Sequence, residues 1–358
     1  MTPLLFGKHP GAFTTLGLGF LPAWLEDSLE VIEERNGQFY LQGTLPADGL
    51  NVRLLTIEQI IFAAPAPGKP AQPFRIEKII KDSIANTVEI YAPHISYQLA
   101  KTAVRPVDDA SPPQYETAQA AMNILWRDCA PSMNGIFTPY SDITPSSPLA
   151  FNISTPTNLR NALCGAEGSM IDTFGGELEW DVWTVKLLAA RGQATDKMIR
   201  YGANMEALDF DTDAQNLVTG YVGYAKKGDV TIMSDIVYLD GASAWAFPRI
   251  ELIDFTENFQ DSEFLPSTPE LTDLTTAAVA GKTISLKTSI TVKAVPGELQ
   301  EVYLCDTVTV VHPVYDLMQT AKIVRTVYDP IKERYKEITI GEIQKSITDT
   351  IAGLMGGR

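Results

Sequence analysis

The side chains that could do chemistry in this 358-residue chain are few and scattered. Its three histidines, His9, His94 and His312, form neither an HExxH motif nor an i, i+4 pair, so zinc would need ligands brought together from distant parts of the chain. Each reads instead as a histidine satisfied within a strand or loop. Cys129, Cys164 and Cys305 are an odd number without a CxxC and read as buried thiols. A cysteine nucleophile needs a thiolate in a polar, partly exposed setting. Here Cys129 and Cys164 fall on apolar helical patterns, and Cys305 follows Leu304 in a strand-like run. No GxSxG elbow or SxxK motif offers a serine nucleophile.

The acidic run Asp209, Asp211, Asp213 begins like a calcium loop, but Ala214 stands where the loop needs glycine, and Gly220 stands where it needs glutamate. It reads as a solvated acidic turn. Glu177 and Glu179 share one strand face and read as the polar side of a half-buried strand rather than a catalytic pair. Trp180, Trp183 and Tyr201 could stack on a sugar, yet large aromatics in a strand beside a helix end are better read as core. The expectation is therefore no catalytic residue, no cofactor and no metal.

Composition is that of a folded chain. Hydrophobic residues make up 45% and charged residues 20%, the balance of a folded chain, and the length suggests two or three domains. No apolar stretch approaches the ~20 residues of a membrane span, and MTPLLFGKHPGAF lacks the pattern of a secretory signal, so folding in a cytoplasm is expected. A net charge of −16 argues against nucleic acid as a tightly held partner, although an acidic conduit would let DNA slide through.

The elements that position these residues are organised around residues 165–208. Ser169 to Phe174 has helical spacing, and Gly175 and Gly176 can take the positive φ needed where helix gives way to strand. The apolar alternation then changes phase between Val182 and Trp183, which predicts a tight hairpin or bulge at Asp181-Val182. Before this stretch, residues 1–105 read as a β-domain: a hairpin about Asn36-Gly37, strands over 50–63, 74–80 and 88–92, and an exposed proline loop APAPGKPAQP. Residues 106–208 read as an α/β domain. In it Ala118, Ala121, Met122, Leu125, Trp126 and Cys129 form one helical stripe, and Thr157 is placed to cap a second helix. Residues 209–345 return to β signals, with strands over 218–225, 230–239, 284–295, 302–311 and 321–328. Residues 346–358 form a short C-terminal helix or tail capped by Ser346. The fold class is α+β, mostly β.

One internal similarity stands out. QPFRIEKIIKD aligns without a gap on QTAKIVRTVYD, pairing Gln72 with Gln319, Arg75 with Lys322, Ile76 with Ile323, Lys78 with Arg325 and Asp82 with Asp329. Each block follows an apolar strand and precedes an alternating run, as in a duplicated β-domain.

The run GSMIDTFGGELEWDVWTVKLLAARG with RYGANM, together with QPFRIEKI, APHISYQL, DTVTV, YDPIKERY and ITIGE, resembles in order the phage tail hub family, described as prophage endopeptidase tail or minor structural protein and similar to the baseplate hub of contractile-tailed phages. The positions that carry the resemblance are Phe74, Arg75, His94, Gly175, Gly176, Glu177, Trp180, Gly192, Tyr201, Gly202, Asn204, Asp306, Tyr328, Asp329, Arg334 and Tyr335. It implies two similar β-barrel-like tube domains with an inserted α/β domain. It also implies a virion structural protein at a siphovirus or prophage tail tip, assembled in the host cytoplasm and acting in host attachment and DNA ejection. The partners implied are the chain itself as a homotrimer, the distal tail protein, the tail tube, the tape measure protein and receptor-binding or lytic tip proteins, with DNA only as cargo. The alternatives are a peptidoglycan endopeptidase, whose lytic module in longer relatives follows the hub whereas this chain ends at Arg358, and a carbohydrate-binding receptor protein.

Overall fold

The computed structural model describes residues 1–8, 17–106, 112–165, 168–214, 217–260, 262, 264–284, 287–294 and 301–341. The expected C-terminal helix at Ser346 and the reading of His9 lie outside them. The chain forms two compact units, one of Met1–Asp209 with Ile290–Gly341 and one of Phe210–Ser289.

In the first unit, Asn36 at φ 56° and Gly37 turn the chain between the antiparallel strands Glu30–Glu34 and Phe39–Pro46, where Glu33 faces Phe39. Strand Phe39–Pro46 buries every second side chain, the pattern that period-two alternation demands of a sheet with one face on the core. A continuous antiparallel path runs through Lys287–Ala294, Arg334–Ile340, Leu317–Asp329, Glu30–Glu34, Phe39–Pro46, Thr87–Pro93 and Lys78–Asp82.

The internal similarity extends well beyond eleven residues. Ile60 pairs with Arg75 and Ala63 with Gln72; at the aligned positions Thr307 pairs with Lys322 and Val310 with Gln319. Ile76 donates its N–H to Gln59 and accepts from Glu58, as Ile323 donates to Asp306 and accepts from Cys305. Glu58 and Cys305 both take the left-handed conformation, at φ 75° and 71°. The Gln59 side chain accepts from the Thr56 N–H and that of Asp306 from the Tyr303 N–H, each at 2.8 Å. Asp82 Oδ1 accepts from the N–H groups of Ile84 and Ala85, and Asp329 Oδ1 from those of Ile331 and Lys332. The hairpins close identically, Asp82 on Thr87 and Asp329 on Arg334, with Asn86 and Glu333 at φ 55° and 52°. The blocks differ in one respect. The first divides into Gln72–Arg75 and Lys78–Asp82 in separate sheets, whereas the second runs unbroken as Leu317–Asp329 with register shifts between Ile323 and Arg325 and between Val327 and Tyr328.

Helix Ala118–Asp128 is capped by Thr117, whose side chain accepts from Ala120 N–H, and its whole predicted stripe is buried. The second helix, Leu159–Leu163, is capped by Asn158 rather than Thr157, since the Asn158 carboxamide reaches the Asn161 N–H. Strands Glu177–Asp181 and Thr184–Leu188 form the expected tight hairpin, with Val182 at φ 53° held by its N–H bond to Gln72 Oε1 at 2.8 Å. Strand Thr138–Ser141 adds in parallel to its outer side. Residues from Leu5 to Leu187 share one continuous core.

Besides the divided 74–80 run, three expected strands are broken. In the 50–63 run, Asn51 at φ 62° starts a 3-10 turn Val52–Leu54, leaving strand only at Ile60–Ala63. The 230–239 run divides into Val230–Met233 and Val237–Tyr238. The 302–311 run is strand only from Thr307, because Cys305 at φ 71° cannot continue an extended chain.

In the second unit, strand Gly220–Lys227 pairs antiparallel with Val230–Met233 and Val237–Tyr238 and parallel with Ile250–Asp254. Helix Thr268–Ala278, which the β reading of this region did not anticipate, has a full capping box of Ser267 and Glu270. Its Leu271 packs with Ala225 and Phe255, and a Cβ at Gly223 would stand 2.2 Å from Thr275 Oγ1. Gly223→Ala is expected to destabilise this unit by about 1–3 kcal/mol in denaturant unfolding, with partial recovery on adding Thr275→Ala.

Candidate assembly site

A buried set of charges in the first unit gathers on Glu177. Gly176, at φ 96°, turns the chain so tightly that a Cβ there would stand 2.6 Å from the Leu188 carbonyl, and the next residue enters the core. Glu177, read as a polar strand face, is only 1% exposed. Its carboxylate meets Arg35 Nε at 2.8 Å and Lys322 Nζ at 2.7 Å, and accepts from the Arg191 N–H at 2.8 Å. Burial pushes this carboxyl up. The Lys322 hydrogen bond, the Arg191 N–H and the charges of Lys322 and Arg35 outweigh that and hold it below the ordinary range.

Around it the ion pairs continue. The buried Arg191 guanidinium meets Glu33 Oε1 at 2.7 Å, donates to the Leu178 carbonyl and lies 3.8 Å from Glu179. Gly192 lets this segment lie on the turn after it, since a Cβ would fall 2.0 Å from the Cys305 carbonyl carbon. Asp306 Oδ1 accepts from the Gln193 N–H, and the Thr307 N–H donates back to the Gln193 carbonyl. Burial, opposed by the Arg191 charge, pushes the Cys305 thiol up to about 12. Cys305 is thus an inert thiol in a left-handed turn, not a strand residue.

His94 is fully buried, stacked on Phe39 at 4.5 Å and edge-on to Phe74 at 5.7 Å. Its Nδ1 accepts from the Ser96 N–H, and burial with the Arg160 charge holds it well below the ordinary imidazole range. Arg160 donates to Ser96 Oγ and to the Gly37 carbonyl, with its guanidinium over Tyr97 at 3.9 Å and Trp180 at 4.6 Å. Cys164 follows helix Leu159–Leu163, and burial raises its thiol. Cys129 caps the end of helix Ala118–Asp128 and is buried.

The remaining motif residues are spread over the first unit. Gly175, at φ 70°, closes helix Met170–Phe174. Trp180 is buried, whereas Tyr201, read as core, is exposed with its ring 4.3 Å from His312. Gly202, at φ 78°, and Asn204 close a turn in which Asn204 binds the Arg200 N–H and the Met198 carbonyl. Arg75 reaches Gln98, and Arg334 reaches Asp27. Tyr328 and Tyr335 pack edge to face, with Tyr335 Oη donating to the Val302 carbonyl. The acidic run lies in strand Met205–Asp213 rather than in a turn.

Sequence reasoning missed Arg35, Gln72, Arg160, Arg191 and Lys322, whose partners lie far away along the chain. The available signal was the alignment of Lys322 with Arg75, which marks a basic position in both blocks. Among the described residues no cluster of three or more His, Cys, Asp or Glu could hold a metal ion.

The fold is that of prophage tail proteins. The chain is similar to prophage tail protein gp18 of Listeria monocytogenes EGD-e, with a TM-score of 0.59, 17% identity and 99% of each chain covered. It is also similar to a tail protein of Neisseria meningitidis MC58, with a TM-score of 0.56 and 11% identity over 96% of this chain and 97% of that one. The 43 kDa tail protein of prophage MuSo2 from Shewanella oneidensis gives 0.56 and 11% over 96% and 98%. More particularly, residues 193–351 match the family described as prophage endopeptidase tail. No curated protein matches.

Because the Glu177 carboxyl is held low in the folded chain, the stability it contributes is complete above the ordinary glutamate range near ~4.3 and is lost as pH falls through its folded value. Glu177→Gln is expected to lower stability at pH 7 by about 3–5 kcal/mol, as for one partner removed from a buried ion pair, and to flatten the acid limb of a pH–stability profile.

Proposed function

We propose that this chain is a structural hub of a phage tail, three copies of which close a ring that continues the tail tube. The observation that carries this reading is the duplicated block. Within one chain, the outer edge of the second block, Leu317–Asp329, is covered by Glu30–Glu34. The aligned edge of the first block, Lys78–Asp82, has a strand on one side only among the described residues. An unpaired edge is a template for another chain, and a head-to-tail contact repeated by a closing rotation makes a ring without free edges. Two blocks per chain give a threefold ring six similar sectors, which suits a sixfold tube.

This reading carries the expected partners with it: a second and third copy, the distal tail protein, the tail tube and the tape measure protein, with receptor-binding or lytic tip proteins beyond and DNA as cargo. Siphovirus membership, host attachment, a part in DNA ejection and assembly in the host cytoplasm belong to the same proposal. The role is structural rather than catalytic. What supports this is the placement of His94 and Cys305, both sealed in the core with proton affinities shifted away from reactivity. The carbohydrate-binding reading needed the aromatics exposed together; Trp180 is buried and Trp183 half-buried, and only Tyr201 is exposed.

Light scattering on the purified chain is expected to give three times the 39.2 kDa chain mass, with threefold particles in electron micrographs. A monomer at every concentration, or clearing of cell walls in a turbidity assay, would overturn the reading.

A further inference from the structure

The repeat makes the junction inside one chain a template for the junction between chains. Inside the chain, the start of the first block's turn is covered. Pro65 and Ala66 are buried, and this turn lines a cleft of about 240 Å³ together with Tyr303, Leu304, Asp306 and Thr326 of the second block. Lys69 caps the contact with its Nζ 4.0 Å above the Tyr303 ring.

The aligned turn of the second block has the same backbone. Asp316 N–H bonds to the Pro313 carbonyl as Lys69 N–H does to that of Ala66. Yet this turn is bare: Val314 is 72%, Tyr315 64% and Met318 72% exposed. The patch is also set in advance, because the Tyr315 ring stacks on His312 at 4.4 Å and 17°, and His312 leans on Tyr201. Three large apolar side chains fixed in solvent at the tip of one hairpin mark a contact surface.

The receiving surface follows from the same alignment. Tyr303 to Asp306 correspond to Thr56 to Gln59, and Thr326 corresponds to Ile79 beside the unpaired edge. There Ile57 is 43% exposed and Ile80 is exposed as well. Inside the chain Ala66 and Leu304 are buried, whereas the aligned Pro313 and Ile57 are exposed, so the two sides of that contact are each bare at the other copy of the block.

We infer that the Val314–Tyr315–Met318 turn of one copy docks on Thr56, Ile57 and Ile79 of the next copy, beside the edge of Lys78–Asp82. The occupant is a second copy of this chain, and the inference rests on the ring reading above. Two bare surfaces that fit each other's positions serve a head-to-tail contact, whereas a different protein would need to match only one. The aromatic tip acts as the anchor, in the manner of a central residue that carries a large share of an interface's energy.

The test replaces Tyr315 by p-benzoylphenylalanine, which keeps an aromatic ring on His312, and irradiates the assembled chain. The expected product joins two chains, with the second link in the peptide that holds Thr56–Gln59 or Ile79–Ile80. In parallel, the double variant Tyr315→Asp, Met318→Asp is expected to raise the concentration of half-assembly by at least about tenfold, with an unchanged circular dichroism spectrum. Phe247→Asp, equally exposed but in the second unit, is expected to leave assembly unchanged. A trimer that cross-links from position 315 to any other segment, or to none, overturns the docking and leaves the ring intact. A wild-type chain that stays monomeric overturns both. Should the aspartate variant unfold, the photo-cross-link alone decides.

Discussion

Everything in the first unit depends on satisfying one buried carboxylate. Glu177 enters the core at the point where Gly175 and Gly176 turn helix into strand, and a carboxylate there without cations would cost several kcal/mol. Its cations come from segments that strand pairing and the Asn36 side chain also draw together. Arg35 lies in the turn of the first hairpin, Lys322 lies in the second block, and the Arg191 N–H follows the Trp180 hairpin. Meeting the demand of one oxygen pair therefore fixes three segments at once. The left-handed turn at Cys305 and the bare Cα of Gly192 then fit because those segments are already in register.

The duplicated block shows which features the fold needs and which it can vary. Kept in both copies are the carboxylates that gather two N–H groups at the hairpin turns, Asp82 and Asp329, and the left-handed residues that precede the strands, Glu58 and Cys305. The carboxylates satisfy turn N–H groups that the strand ladders leave unpaired. Varied are the side chains between them. In the first copy Gln72 holds Val182 at the tip of the inserted hairpin, whereas in the second Lys322 holds Glu177 at its base. A duplicated chain becomes an assembling one when its two copies are covered unequally.

Much of this was legible in the sequence. The Asn36-Gly37 hairpin, the apolar stripe of helix Ala118–Asp128, the hairpin at Asp181-Val182 and the alignment of Gln72–Asp82 with Gln319–Asp329 are all local patterns of period and turn chemistry, and the structure has each of them. Such features are fixed by interactions spanning a few residues, so a few residues suffice to read them. The breaks at Asn51 and Cys305 were harder, because positive φ at a residue other than glycine leaves no mark in composition. Helix Thr268–Ala278 did carry its capping box in plain view, hidden only by the strands on either side.

What tertiary structure alone decided is the sign of the environment at each polar residue. Glu177 looked like the polar side of a strand because alternation says which residues share a face. It does not say whether that face meets water or a second layer, and here the second layer supplies Arg35 and Lys322 across more than a hundred residues of chain in each case. Tyr201 errs the other way, an aromatic placed by pattern in the core and by the fold in solvent against His312. Periodicity is a property of the backbone, which the sequence carries locally. Burial is a property of what the chain brings opposite, and that exists only once distant segments have met.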